Sequence, residues 1–283
     1  MVYDRDFQIE SDQGVNYMND LTVYKSNNLI QAGYKLSVNE QRIILNCIGQ
    51  INSVEEVTDE VMYQISVHEI AQQSGLNTSS IYKDVKESAM RLAHRKVSIP
   101  EPNNSAKDRI ILTSWVQTIA YSDTEATVEL RFSKDILPYL TQLKQQFTKY
   151  KLKHVAKMKS SYGIRLYELL IQHKQFGSRD IEIAWLRKQF QIGEKEYPRM
   201  YDFKRFVIEP AVKDINETSD LWVIHHQRKR GRRITHFTFE FGLKSTPKDK
   251  PKRLTTEYIK KNAIKGETWD NAKRRLSKEF VNS

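Results

Sequence analysis

The sequence predicts an α+β fold: two tandem winged-helix domains with a basic C-terminal tail. Three observations lead there. A succession of long apolar helix, short strand, paired helices and two-stranded hairpin occurs twice, with little identity between the copies. In the second copy a 3.6-period helix runs into a strictly alternating hairpin. The tip of that hairpin carries Arg228, Lys229, Arg230, Arg232 and Arg233 around Gly231.

Residues 1–20 are acidic and patternless and are expected to be a flexible arm. In the first unit, residues 21–145, Ser37 and Glu40 form a capping box ahead of Ile43, Ile44, Cys47, Ile48 and Ile51, one buried stripe. The run MYQIS reads as a short strand, and Ser66 caps the helix VHEIAQQSG. Ala71 and Gly75 sit where a helix-turn-helix needs a small crossing residue and a turn glycine. A second helix starts at Asn77 or Thr78 and turns Ile81, Val85, Ala89 and Leu92 inward. Strands KVSIP, RIILTSWVQTIAYSD and TEATVELRFS follow, and KDILPYLTQL reads as a closing helix.

A short linker is expected near Leu143 to Thr148, and the second unit spans residues 146–243. YKLKHVAKMKSSYGIRLYELLIQHK reads as a helix with an irregularity at Ser160 and Ser161. DIEI reads as a strand, AWLRKQFQIG as the first helix of a second helix-turn-helix, and Gly193 as its turn residue. The next helix shows Val207, Ile208, Ala211, Val212 and Ile215 as one apolar stripe. Arg199, Asp202, Arg205 and Glu209 lie on the other side. Pro210 removes a backbone donor, so a kink or break is expected there. In the hairpin, Thr235, Phe237, Phe239 and Phe241 form the apolar face. Residues 244–283 form the basic tail, with one or two small helices and Trp269 as its expected docking residue.

The chain has 283 residues and a formal net charge of +11. Residues 1–20 have a net charge of −4 and residues 21–145 of −1, against +9 for residues 146–242 and +7 for residues 243–283. Charge segregated in this way points to a polyanion held mainly by the second half. The single cysteine, Cys47, falls in an apolar stripe and reads as a packing residue, which fits a reducing cytoplasm. The N-terminus has no apolar run, so no signal peptide is expected, and no stretch approaches a membrane span.

The runs YKSNNLIQAGYKLSVNEQRIIL, YGIRLYELLIQ and FKRFVIEPAVKDINETSDL, with the basic hairpin ending THFTF, resemble the iteron-binding replication initiators of theta-replicating plasmids. The likeness covers roughly Leu21 to Gly242. It implies two winged-helix domains, repeated double-stranded origin DNA as ligand, and a homodimer in equilibrium with monomer. The dimer would repress its own gene. The monomer would bind the repeats and open adjacent AT-rich DNA, with single-stranded DNA as a further ligand. A host initiator and the replicative helicase are implied partners. Phe206 departs from the pattern, which leads to a further basic residue at that position.

Arg199, Tyr201, Asp202 and Arg205 are the candidates for base edges, because arginine grips guanine bidentately and aspartate accepts from cytosine. Lys204 and the hairpin cations are candidates for phosphate. Lys83 and Lys86, on the second helix of the first unit, are candidates for an auxiliary contact. There Asp84 and Glu87 favour a solvated face equally. The first unit, nearly neutral, is expected to supply the dimer contact. No cofactor and no metal is expected. A dedicated transcriptional repressor would use the same surface. A rolling-circle nicking enzyme would need two histidines flanking one apolar residue and a nucleophilic tyrosine. His225 and His226 are adjacent and face opposite ways, and Tyr162 and Tyr167 lie on an apolar helix that suits core packing. No glycine-rich phosphate loop with lysine is present. Glu55, Glu56, Asp59 and Glu60 read as a solvated run.

Overall fold

The structure is a computed structural model that describes residues 21–101, 109–141, 143, 146–231, 233–244, 259–260, 262–264 and 266–281. The first unit opens with strand β1 (Thr22–Ser26) and a single turn of helix, α1 (Asn27–Ile30). Helix α2 (Val38–Gly49) starts at the expected capping box: the Ser37 side chain accepts from Glu40 N–H, and the Glu40 carboxylate accepts from Ser37 N–H. Strand β2 (Tyr63–Ser66) leads into α3 (Val67–Ser74), where Ser66 and Glu69 repeat the device. Gly75 follows at φ 68°, the left-handed cap that lets α4 (Thr78–Leu92) turn away.

The run RIILTSWVQTIAYSD, expected as one strand, is two. It breaks at fully buried Trp115 into β4 (Arg109–Ser114), paired with β3 (Lys96–Glu101), and β5 (Val116–Ser122), paired with β6 (Thr127–Phe132). The wing sheet has the order β2-β6-β5. The closing helix shrinks to a 3₁₀ turn, Leu137–Tyr139, because Pro138 withholds the donor a longer helix needs.

The expected linker is a strand. β7 (Phe147–Lys151) pairs antiparallel with β1, with Tyr24 opposite Lys149. Thr148 and Tyr150 point inward while Phe147 and Lys149 point out, a period of two, so the helix expected from Tyr150 does not begin there. A short turn, α5 (Lys153–Ala156), and helix α6 (Ser161–Ile171) follow, and the irregularity at Ser160 is the N-cap of α6.

The second unit then has β8 (Ser178–Glu182), α7 (Ile183–Gln189), a helix in three pieces, and the hairpin β9 (Leu221–Arg230) with β10 (Arg233–Leu243). Its sheet order is β8-β10-β9. One hydrophobic core runs through both units, from Val23 and Ile43 to Leu169, Phe203 and Phe241. In the tail, α10 (Trp269–Val281) buries Ala272 and Leu276 with Ile259. Trp269 is 43% exposed and is not the docking residue. Among the described residues no helix is long and apolar enough to cross a membrane.

Candidate nucleic-acid interface

The helix that follows the α7 turn begins as α8 (Met200–Phe203), widens into a π-helical turn over Lys204–Ile208 and resumes as α9 (Glu209–Thr218). Pro210 explains the widening. A proline has no N–H and its ring crowds the carbonyl four residues back, here that of Phe206. Passing through a π turn absorbs the mismatch without breaking the helix. The expected break is therefore a change of helical pitch, placed directly under Lys204 and Arg205.

Phe203, Val207, Ile208, Ala211 and Ile215 are buried. Phe203 stacks on Phe237 of β10, ring centroids 6.3 Å apart, which fixes the helix on the sheet. Arg187 of α7 clamps the approach. Its guanidinium lies 5.2 Å from the Phe203 ring and donates to the carbonyls of Gly193 (2.7 Å), Glu196 (2.6 Å) and Tyr197 (3.2 Å). Nothing in the local pattern marks Arg187 for this role, because its partners are backbone carbonyls. The turn itself uses Gln191 and Tyr197, at φ 50° and 49°, as its left-handed residues. Gly193 has no positive φ; its N–H donates to the Glu196 carboxylate.

The opposite face is open. Arg199, the N-cap residue, and Arg205 are exposed, and Tyr201 is 67% exposed. Asp202 and Lys204 are half-buried, with Lys204 Nζ 4.0 Å from Glu209. Phe206 does not enter the core. It is 48% exposed, stacks on Tyr197 at 5.8 Å and carries the Arg205 guanidinium 5.4 Å from its ring.

The hairpin closes at Gly231, φ 62°, with Arg230 opposite Arg233. Its base is packed by Leu221, Val223, Phe237, Phe239 and Phe241; of the predicted apolar face, the three phenylalanines are buried and Thr235 is half-buried. β8 pairs only with His236–Glu240, so the ribbon beyond stands free of the sheet, with a register shift between Ile234 and His236. Gln227 to Arg230 and Arg233 are exposed. Arg228 reaches Asp180 at 2.8 Å; Lys229, Arg230 and Arg233 have no carboxylate partner among the described residues. Arg232 lies outside the described residues. At the hairpin base, the His225 ring sits edge-on to Phe237, and burial lowers its pKa, with Lys204 lowering it further.

The first unit presents less free charge. Lys83 is exposed and 3.9 Å from Glu87. Lys86 is held by both Asp123 carboxylate oxygens at 2.6 Å and lies 5.4 Å from the Tyr121 ring. Those contacts tie α4 to its own wing, so the structure does not bring Lys83 and Lys86 together with the second-unit candidates. Cys47 is buried, and burial pushes its thiol far up. Tyr167 is in the core and donates to Asp220 at 2.9 Å. Burial, then the Asp220 charge, raises its phenol well above the ordinary range. Tyr162 is half-buried and stacks on Phe190. Among the described residues no three His, Cys, Asp or Glu side chains converge as metal ligands would.

Two family models match the chain. Residues 22–171 match "Initiator Replication protein, WH1" and residues 182–241 match "Initiator Rep protein, WH2". A replication initiation protein of Escherichia coli is 30% identical over 254 residues, covering 88% of this chain and 76% of its own length. The PI protein of Escherichia coli is 24% identical over 240 residues, covering 73% of this chain and 78% of its own. A crystal structure of Pi initiator protein in complex with iteron DNA superposes with a TM-score of 0.66 at 23% identity, over 81% of this chain and 99% of that one.

Proposed function

The chain belongs to the initiator replication protein family, and from that premise we propose that it starts plasmid replication by binding repeated double-stranded sequences at the origin. The carrying observation is that Phe203 and Phe237 lock the exposed face of Arg199, Tyr201 and Arg205 to the same sheet that projects Lys229, Arg230 and Arg233. A helix face of that kind suits the major groove, and a free cationic ribbon suits the phosphates beside it. Asp202 and Lys204 complete the helix contact. Arg228 and Arg232 complete the wing. Lys83 and Lys86 add at most an auxiliary hold from the first unit.

In this reading the protein works in the cytoplasm, takes no cofactor or metal and breaks no bond. It holds the duplex while adjacent AT-rich DNA opens and a host initiator and the replicative helicase arrive. A homodimer, joined through the first unit, represses the gene. β4 supports that last step: among the described residues it is an edge strand, paired only with β3, and presents Ile110 (53% exposed) and Leu112 (68%). The test is a plasmid carrying only this gene and its upstream repeats, in a host that supplies the rest. Replication that survives loss of the repeats, or a covalent tyrosine adduct on supercoiled origin DNA, contradicts the reading.

A further inference from the structure

From Leu143 to Tyr167 the chain contains no Asp or Glu, yet it carries Lys149, Lys151, Lys153, Lys157 and Lys159. These cations follow one another along the segment that joins the two units. Lys149 is on the outward face of β7, Lys153 on α5, and Lys157 and Lys159 on the segment that enters α6. Lys149, Lys153, Lys157 and Lys159 are all exposed, and among the described residues none has a carboxylate within ion-pairing distance. Surface lysines elsewhere are mixed in this respect: Lys35, Lys83, Lys86 and Lys213 each have one, while Lys96, Lys134 and Lys174 have none among the described residues.

The position of this face matters as much as its charge. α5 packs between α3 of the first helix-turn-helix and α9 of the second. The Lys159 backbone N–H donates to Asp214 of α9 at 2.8 Å, so the lysine segment is fixed to the helix that carries the candidate base contacts. Unpaired like charges held close together on a rigid surface repel one another, and a polyanion relieves that repulsion. Amino groups on flexible stems, without arginine's planar fork, suit phosphates rather than base edges.

We propose that Lys149, Lys153, Lys157 and Lys159 form a second phosphate-binding face, separate from the wing, that grips the sugar–phosphate backbone of duplex DNA beyond the base pairs read by the helix. This rests on the reading of the chain as a duplex-binding protein. Neither the wing nor the helix face includes these residues, so their contribution is separable.

The experiment uses the full chain and two quadruple variants. One is K149Q/K153Q/K157Q/K159Q. The other, K96Q/K134Q/K174Q/K260Q, removes the same charge from exposed lysines elsewhere. Binding to a random-sequence duplex of about 40 base pairs is titrated against salt, with thermal unfolding to confirm both variants fold. Each lost phosphate contact removes about 0.9 from the slope of log K against log salt. The junction variant should lose about 3 to 4 from the slope and the control less than 1. Equal losses would mean that net charge alone is at work, and an unchanged junction variant would mean that the face is bare solvent surface; either overturns the proposal. If the wild-type chain binds no duplex, the functional reading fails first and takes this inference with it. Loss of binding to anionic phospholipid vesicles with DNA binding intact would assign the face to a membrane and also overturn it.

Discussion

Lys25 and Glu168 are 143 residues apart in sequence and meet at 2.6 Å with both side chains buried. Lys25 is on β1 and Glu168 on α6, so the pair bolts the first strand to the helix that supports the recognition elements. The same carboxylate accepts from Tyr150 at 2.6 Å, Tyr34 at 3.2 Å and Arg165 at 2.9 Å. Arg165 also donates to the carbonyls of Ile30 and Ala32. Burial works against both charges. It lowers Lys25, whereas at Glu168 the cost is outweighed by Lys25, Arg165 and the Tyr150 hydroxyl, which hold the carboxyl below its ordinary range.

Removing that charge should be costly. Glu168→Gln leaves Lys25 and Arg165 buried without a counter-charge, and a loss of about 3–5 kcal/mol is expected by urea unfolding at neutral pH. The pH dependence follows from the sign of the shift. A carboxyl with a folded pKa below its unfolded value of about 4.3 contributes fully above that value, and the contribution is lost as pH falls through the folded one. Wild-type stability should therefore drop on acidification below about pH 4.3, more steeply than that of Glu168→Gln. Parallel acid limbs would show that Glu168 is not the group responsible.

Asp214 joins the recognition helix to α6 by accepting from the N–H groups of Lys159 and Ser160. Asp214→Ala leaves two donors at the start of α6 without that acceptor and should cost about 1–3 kcal/mol. Gly163 is packed against the same side chain: a Cβ there would lie 3.2 Å from Asp214 Cβ. Gly163→Ala should then lower DNA affinity as well as stability, because the contact it disturbs is with α9. Band-shift titration beside thermal unfolding reads both, and normal affinity in Gly163→Ala would mean that the helix does not move with it.

Pro210→Ala restores the missing donor and lets the π turn relax to regular helix. The unfolding midpoint should hold or rise slightly, since proline disfavours a helix interior. Arg199 and Arg205 would change their angular relation, so affinity for the origin repeats should fall about tenfold, about 1.4 kcal/mol, with random-sequence binding unchanged. Unchanged discrimination between the two would separate the π turn from recognition.

Leu112→Lys places a charge on the exposed edge strand β4. If that edge joins two copies, sedimentation should show the monomer fraction rising at micromolar concentration while binding to a single repeat is retained. A dimer of undiminished strength would place the contact elsewhere.

Much of this architecture is legible in the sequence because it is local. The capping box of Ser37 and Glu40, the left-handed Gly75 and the alternation from Leu221 to Phe241 all declare themselves within a few residues. What is not local does not declare itself in this way. The five residues of β7 read as the end of a linker and the start of a basic helix because their partner, β1, lies more than a hundred positions earlier. A cut after residue 145 would leave β7 without that partner and Glu168 without Lys25 and Tyr34, so a fragment starting at residue 146 is no test of the second unit. The break at Trp115 is hidden in the same way, inside a run that is apolar on both sides of it. Of the candidate interface, the exposed face and the ribbon followed from periodicity. The Arg187 clamp and the Phe206–Tyr197 stack did not, since both depend on how the turn folds back.

The most direct test of the division between helix and wing is a salt titration of binding to the origin repeat and to a scrambled duplex, for Arg205→Ala and Arg230→Ala. Arg205→Ala should cost about 1–3 kcal/mol on the repeat and relax preference at one or two base pairs, with little change on the scrambled duplex. Arg230→Ala should weaken both duplexes by similar factors and reduce the salt slope by about one. If Arg230→Ala abolishes discrimination while Arg205→Ala weakens both duplexes equally, helix and wing have the opposite roles.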